Sequence, residues 1–159
     1  MDAVDPERLD TGSLALFTGF AASAAVEAEL AARGFADLRF SHGYVFQRLV
    51  GAAPTVTELA AGLGMTQQGA SKAVAELERL GYVERVADAD DARVRRVRLT
   101  ARGEDAVRAA REARAALEER MRRRFGPGRL ADARALLAEM LDALGGTAAV
   151  RRREVRPPR

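Results

Sequence analysis

Apolar residues recur at intervals of three and four along the first third of the chain. From Ser13 to Ala32 they fall on one face of a helix, and Gly34 ends that stretch. A second helix is expected from about Asp37 to Val50, before Gly51 and Pro54. Both patterns predict amphipathic helices that pack one side against a core.

Two short helices with a tight turn between them are predicted next. The run Thr55-Val56-Thr57-Glu58 fits a capping box, in which the Thr and Glu side chains satisfy free amides at a helix start. That helix should end at Gly64. Thr66 is placed to cap a further helix that reaches Leu80 and stops at Gly81. This arrangement predicts a helix-turn-helix.

The helical pattern gives way to partial alternation after residue 81. The runs Tyr82–Val86 and Val94–Leu99 are rich in β-branched residues, and turn-forming residues occupy positions 87–92 between them. The pattern predicts a β-hairpin, the wing of a winged helix-turn-helix.

Two longer helices are predicted after the hairpin. Thr100 should cap a helix that runs to about Arg124, and a last helix should run from Leu130 to Leu144. We expect the fold to end there and residues 146–159, which are rich in arginine, to form a disordered basic tail. The predicted fold class is mainly α with a small β-hairpin wing: a winged helix-turn-helix with terminal helices.

The terminal helices carry more apolar surface than one small winged domain can cover. We therefore predict a homodimer in which regions 13–35 and 101–145 form the helical dimerisation region. Residues 37–100 would form the winged helix-turn-helix DNA-binding domain.

The chain lacks the residue types on which several classes of enzyme depend. Among 159 residues there is no Cys and one His, His42, which excludes a thiol nucleophile, a disulfide and a zinc cluster. Since no Gly-rich phosphate loop and no nucleophile–base pair is evident either, we expect no enzyme activity, no cofactor and no bound metal. We expect no apolar run long enough to span a bilayer and, since the N-terminus is also acidic, a cytoplasmic location.

Side chains suited to reading DNA lie on the helix that follows Thr66. Gln can pair with adenine through two hydrogen bonds, and Ser or Lys can contact phosphates or base edges. A glycine in this helix either lets the backbone approach DNA closely or is only tolerated. The predicted DNA contacts here are Thr66, Gln67, Gln68, Gly69, Ser71 and Lys72.

Arginine dominates the wing. The segment from Arg93 to Arg102 holds five arginines and no acidic residue. We expect Arg93, Arg95 and Arg96 to contact DNA, with Asp91 orienting Arg93. The alternative is a solvated edge strand whose charges prevent aggregation, and GC-rich coding would also yield a chain rich in arginine and poor in lysine.

The ordered motifs resemble the multiple-antibiotic-resistance regulator (MarR) family. The resemblance covers about Val56 to Gly103 and consists of Thr57-Glu58-Leu59-Ala60, Thr66-Gln67-Gln68-Gly69-Ala70-Ser71-Lys72, Leu77-Glu78-Arg79-Leu80-Gly81-Tyr82-Val83-Glu84-Arg85, Asp91-Ala92-Arg93 and Leu99-Thr100-Ala101-Arg102-Gly103. Gly69 departs from the Thr or Ser that is usual in the family.

The resemblance implies a homodimer joined by the terminal helices. In it, the helix from Thr66 enters the major groove and the wing arginine the adjacent minor groove. It also implies an effector pocket between the dimer helices and the winged domain. Candidate pocket residues are Phe17, Phe20, Phe40, His42, Tyr44 and Phe46, each of which could instead be a packing residue.

The sequence thus predicts a sequence-specific DNA-binding transcription regulator. Its partner would be double-stranded DNA with a palindromic operator, and a small aromatic or anionic effector would release it as a repressor. The alternative is a dimeric ligand-binding or interaction protein with the same fold and little sequence-specific DNA binding, for which a weak salt dependence of DNA affinity would argue.

Overall fold

The computed structural model describes residues 5–155. After a 3₁₀ turn at Pro6–Arg8, these residues form seven helices and one hairpin. In chain order these are α1 (Thr11–Ala32), α2 (His42–Leu49), α3 (Val56–Leu63), α4 (Gln67–Arg79), β1 (Val83–Ala87), β2 (Arg95–Leu99), α5 (Ala101–Phe125), α6 (Pro127–Ala143) and α7 (Thr147–Arg151). The predicted fold class, mainly helical with a β-hairpin wing, is confirmed.

Threonine side chains cap the helices at the predicted positions. Thr55 Oγ1 accepts from the Glu58 amide at 3.2 Å while Glu58 Oε2 accepts from the Thr55 amide at 2.7 Å, which completes the capping box. Thr66 Oγ1 accepts from the Gly69 amide at 3.0 Å, and Thr100 Oγ1 accepts from the Gly103 amide at 3.1 Å. Local sequence therefore sets where α3, α4 and α5 begin.

The winged domain is built around one apolar core. Three residues of this core are fully buried: Leu77 from α4, Tyr82 just before β1, and Val97 from β2. The remaining buried members of this core are Val45, Phe46, Leu49, Leu59, Leu63, Val74, Val83 and Ala106. Because α4 buries one face here, its opposite face is held outward.

The hairpin is fastened to the rest of the domain at its base. β1 and β2 pair antiparallel with Val83 opposite Leu99. The Val97 amide donates to the Pro54 carbonyl at 2.8 Å, and Thr55 forms a bridge with Arg96. The loop before α3 thus acts as a short third partner for β2.

The terminal helices form a separate and smaller cluster. Val26 and Leu30 of α1 pack against Ala109 and Ala113 of α5. Within the described chain, no residue of α6 is buried. Large apolar side chains of α1 and α6 remain exposed, namely Leu14, Leu16, Phe17, Phe20, Leu136, Leu137 and Leu141, with Leu144 just beyond α6.

Helix α1 is also long and apolar enough to cross a membrane, by length and composition alone. The expectation that no apolar run reaches this length is therefore wrong. It rested on treating the 22-residue segment as an amphipathic helix, whereas apolar residues surround most of α1.

Two further expectations about element boundaries are wrong. Helix α2 begins at His42 instead of Asp37: residues 37–41 are non-helical, and the Arg39 amide donates to His42 Nδ1 at 3.1 Å. The predicted disordered tail contains α7, and Gln47 Nε2 donates to the Val155 carbonyl at 2.9 Å. Residues 156–159 of that tail lie outside the described residues.

Candidate nucleic-acid interface

The outward face of α4 forms a shallow polar depression with neighbouring residues. Gln67, Gln68, Ser71 and Lys72 are exposed there, and Thr66 is exposed at the cap. Val56, Ala75 and Arg85 complete the lining. The burial of the opposite face explains this presentation, since polar residues alternate with core residues at helical spacing.

The four polar side chains on the outward face of α4 differ in whether they already have a partner within the protein. Gln67 Nε2 donates to Thr57 Oγ1 of α3 at 3.1 Å, so its amide is partly engaged. Within residues 5–155, the side chains of Gln68, Ser71 and Lys72 make no hydrogen bond or ion pair. These three groups are therefore the ones available to an external partner.

Gly69 faces the helix cap. A Cβ at this position would lie 3.2 Å from Thr66 Oγ1 and 3.4 Å from the Met65 Cε atom. A larger side chain would crowd the hydroxyl that caps α4. Local packing is therefore a third explanation for glycine at position 69, beside a close approach of the backbone to DNA and simple tolerance of glycine.

Arg85 was not predicted from the sequence, although it lies beside the exposed face of α4. The Arg85 guanidinium, on β1, pairs with the carboxylate of Glu78 on α4. The available signal was its position two residues after buried Val83, on a strand that follows α4 directly. An exposed acceptor could compete with Glu78 for this guanidinium.

The wing tip presents Arg93 on an acidic support. The Arg93 side chain is 92% exposed, and its Nε and Nη2 atoms donate to the two Asp91 carboxylate oxygens at 3.0 and 3.1 Å. The same carboxylate accepts from the Arg93 amide at 3.0 Å, and these bonds lower the pKa of Asp91. The Asp91 carboxylate thus holds the Arg93 guanidinium at the wing tip through two parallel hydrogen bonds. These two bonds either persist or break when an anion binds.

Arg96, unlike Arg93, pairs with acidic residues from outside the segment 93–102. Arg96 pairs with Asp88, lies 3.7 Å from Glu58 Oε2, and donates to the Ala53 carbonyl at 3.1 Å. The ion pair with Arg96 lowers the pKa of Asp88. Arg96 is half-buried and joins the hairpin to the loop before α3, so its side chain is less available to DNA than the sequence indicates.

The two remaining paired arginines lie on the hairpin base and on α5. Arg98 Nε is 2.8 Å from Glu84 on the opposite strand, and Arg102 Nη2 is 3.5 Å from Asp37. Only Arg95, among the five arginines and within the described residues, lacks an ion pair or a side-chain hydrogen bond. The charge counted along 93–102 therefore overstates the free positive charge of the wing.

A cavity of about 670 Å³ lies between α1, α2 and α5. Three of the six predicted pocket residues line it: Phe40, Tyr44 and Phe46. The other three predicted residues, Phe17, Phe20 and His42, do not line this cavity. Phe17 and Phe20 are exposed near the start of α1, about half of each side chain being accessible, and His42 points elsewhere.

His42 is a buried packing residue between α2 and α4. It is 4% exposed, and its Nδ1 atom accepts from the Arg39 amide. Its Nε2 atom lies 3.8 Å from Glu76 Oε1 and has no hydrogen-bond partner in the part of the chain that the structure describes. Burial lowers the pKa of His42, with the Glu76 charge opposing that effect.

Sequence reasoning missed the cationic part of the cavity wall. Arg39, Arg111, Arg114 and Arg153 line it together with Glu27 and Glu118. The helical spacing of the α5 residues was available as a signal. Arg153 was not predictable, because its segment was expected to be disordered.

Residues 36–94 match the model of the MarR family. No curated protein matches the chain significantly. Among solved structures, a mutant of S. aureus MepR bound to oligodeoxyribonucleotide is 21% identical with a TM-score of 0.63, the match covering 86% of this chain and 99% of that one.

Two further solved structures have the same fold. S. aureus MepR bound to ethidium bromide is 21% identical with a TM-score of 0.61, over 87% of this chain and 99% of that one. The reduced form of MarR from E. coli is 18% identical with a TM-score of 0.68, over 88% and 99%.

The family match includes α2, α3, α4 and the first strand of the wing, the same elements that build the polar face described above. The family consists of regulators and not of enzymes, in agreement with the expectation from composition. The segment 36–94 is therefore a winged helix-turn-helix of the MarR family of DNA-binding transcription regulators, and the chain as a whole has the fold of the solved structures above.

Proposed function

We propose that this protein binds a specific operator sequence through α4. The observation that carries the proposal is the outward face of α4, where Gln68, Ser71 and Lys72 are exposed and free of internal partners within the described residues. Gln supplies a donor and an acceptor that distinguish adenine, and Lys supplies a phosphate or guanine contact. That MepR has been solved with an oligodeoxyribonucleotide supports the same use of this fold.

The wing would add affinity through Arg93 and Arg95. Arg93 is the most exposed of the paired wing arginines, and Arg95 has no acidic partner among the described residues. Arginine at a hairpin tip suits the negative potential of a narrow minor groove. Arg96 would act chiefly by holding the hairpin in place.

The operator-binding form would be a homodimer. Exposed apolar residues on α1 and α6, such as Phe17, Phe20 and Leu137, form surface that a second copy can cover. In this arrangement residues 13–35 and 101–145 form the dimerisation region and 37–100 the DNA-binding domain. Covering α1 in this way also accounts for its apolar character without a membrane, and a cytoplasmic location would place the dimer beside its DNA.

A small molecule would bind in the cavity between α1, α2 and α5 and release the protein from its operator. The cavity joins the helices of the dimerisation region to α2 of the winged domain, so an occupant contacts both parts. Its volume of about 670 Å³ is in the range of small-molecule sites. MepR has been solved with ethidium bromide, which shows that a protein of this fold accepts a planar organic molecule.

The second candidate function is ligand binding with little sequence-specific DNA recognition. It is favoured by the internal pairing of Arg96, Arg98 and Arg102, which leaves the wing with less free charge. Titrating the protein on a selected site and on random DNA over a salt series separates the two. Specific binding requires a large affinity ratio together with a salt slope of several units, whereas a ratio near one would support the second function.

A further inference from the structure

The cavity wall has an excess of positive charge on an apolar surface. Four arginines and two glutamates line it, which leaves a formal excess of two positive charges. Glu118 is already paired with Arg134 at 3.2 Å, and Arg134 is not part of the lining. Arg111 and Arg114 have no ion pair or side-chain hydrogen bond within residues 5–155. A ligand with an apolar body and a negative group would suit this wall.

One of the four arginines comes from the C-terminal segment. Residues 147–155, here called the C-terminal strap, fold back onto the end of α2. Arg48 Nη1 donates to the Arg152 carbonyl at 3.5 Å, and Arg153 Nη1 donates to the Val50 carbonyl at 3.1 Å. Together with the Gln47 bond to the Val155 carbonyl, these contacts hold the strap beside the cavity.

The backbone at Arg153 directs this residue towards α2. Its φ is 56°, a left-handed value that residues with a side chain rarely adopt. The Arg153 amide donates to the Val150 carbonyl at 3.1 Å and the Glu154 amide to the Ala149 carbonyl at 2.8 Å, the two bonds of a Schellman motif. Glycine is the usual residue at this position of the motif. Arginine is therefore more strained here than glycine would be, and its side chain is held against the Val50 carbonyl at the end of α2.

The strap is connected to the helix-turn-helix through Arg48. A Cβ at Gly62 of α3 would lie 2.7 Å from Arg48 Nη2, so the Arg48 guanidinium lies directly over that glycine. The same guanidinium donates to the strap at Arg152. A change in the position of the strap thus reaches α3, the helix that precedes α4.

We propose that Arg153 is a specificity residue of the cavity and that it selects an amphipathic organic carboxylate. This rests on the proposed function of the cavity as an effector site. Arg153 Nη1 is satisfied by a neutral carbonyl, and a carboxylate entering the cavity offers a stronger, charge-assisted partner to the same guanidinium. On binding, the carboxylate replaces the Val50 carbonyl as the partner of the Arg153 guanidinium.

The test compares 1-naphthoate with its uncharged analogue 1-naphthamide by isothermal titration of the full-length protein. Wild-type protein should bind naphthoate more tightly than naphthamide. Arg153→Gly retains the turn while removing the guanidinium, and should weaken naphthoate binding about tenfold or more, the effect of one charge-assisted hydrogen bond, with naphthamide unchanged. Arg153→Lys should retain part of the preference for the anion.

Arg151→Gln serves as the control, because Arg151 is the last residue of α7, lies in the same strap two residues before Arg153, and does not line the cavity. It removes the same charge and should leave both probes unaffected. Thermal melting of each variant checks that the fold is intact.

Three results would overturn the proposal. Equal affinity of the wild type for the two probes would show that the cavity does not select charge. An equal loss of affinity for both probes in Arg153→Gly would show that the strap covers the cavity without recognising the carboxylate. In either case the cavity remains a ligand site. If neither probe binds the wild type, the effector part of the proposed function fails as well, while operator binding is measured independently with DNA.

Discussion

Gly103 offers a sharp test of how α5 is joined to the hairpin. It lies in the first turn of α5, where a Cβ would come within 2.1 Å of the Tyr82 carbonyl oxygen and 3.1 Å of Leu99 Cδ2. That carbonyl also accepts from the Thr100 amide at 3.0 Å, and Tyr82 is fully buried. The obstacle is backbone in a packed region, so it cannot move aside as a flexible side chain would.

The expected effect of Gly103→Ala is the difference between two opposing contributions. Replacing a helical glycine by alanine normally stabilises by about 0.5–1 kcal/mol. Forcing an extra methyl group into a packed site costs about 1–3 kcal/mol. Because the obstacle is backbone at 2.1 Å, the overpacking cost should lie in the upper half of its range, about 2–3 kcal/mol. The net effect should be a destabilisation of about 1–2.5 kcal/mol, which lowers Tm by roughly 2–10 °C for a chain of this size.

The assay is thermal unfolding followed by circular dichroism at a fixed protein concentration. Gly128→Ala in α6 is the control, since no described atom lies within 4 Å of its added Cβ, and it should leave Tm unchanged or slightly raised. A Gly103→Ala protein as stable as the wild type would refute the close packing of α5 on the Tyr82 backbone. Operator affinity should also fall, because this contact fixes the position of the winged domain relative to α5.

The site and the core support four further predictions. Arg93→Ala should weaken operator binding and reduce the salt slope by about one unit in anisotropy titrations, and unchanged operator affinity would show that the wing tip does not contact DNA. Gln68→Ala should cost about 1–3 kcal/mol at one position of each half-site with little change on random DNA, and an unaltered preference would move base reading to Gln67 or Lys72. Light scattering at micromolar concentration should give the mass of a dimer, and a monomeric mass would contradict the proposed use of α1 and α6. Since the pKa of His42 is lowered from 6.5, the unfolded state binds its proton more readily, so the free energy of unfolding should fall as pH drops below about 6.5; denaturant titrations should show a smaller fall in His42→Gln.

Features that depend on neighbouring residues were predictable from sequence. The caps at Thr55, Thr66 and Thr100 each bind an amide three residues ahead, so a short pattern specifies them fully. The outward face of α4 follows in the same way from helical spacing. Local patterns alone therefore predict the fold class and the candidate reading surface.

Features that depend on distant residues were not predictable. The sequence shows no acid between Arg93 and Arg102, yet Arg98 finds Glu84 across the hairpin and Arg102 finds Asp37 from before α2. A charge count along one segment cannot show such pairing. The cavity posed the same difficulty, since its wall combines α1, α2 and α5 with Arg153 from the C-terminal strap.

The prediction for the start of α2 failed for a more local reason. Leu38 and Phe40 continue an apolar pattern that favours a helix, but residues 37–41 are non-helical and the His42 imidazole accepts from the Arg39 amide. A side chain that competes for a backbone amide can override apolar spacing.

The central proposal is that the exposed face of α4 reads a specific DNA sequence as part of a two-fold dimer. The most direct measurement is selection of bound sequences from random double-stranded DNA by the purified full-length protein. We expect enrichment of a near-palindrome whose half-sites are centred about ten base pairs apart, one helical turn of DNA. Recovery of unenriched sequences, or of a single asymmetric half-site protected by the protein, would contradict it.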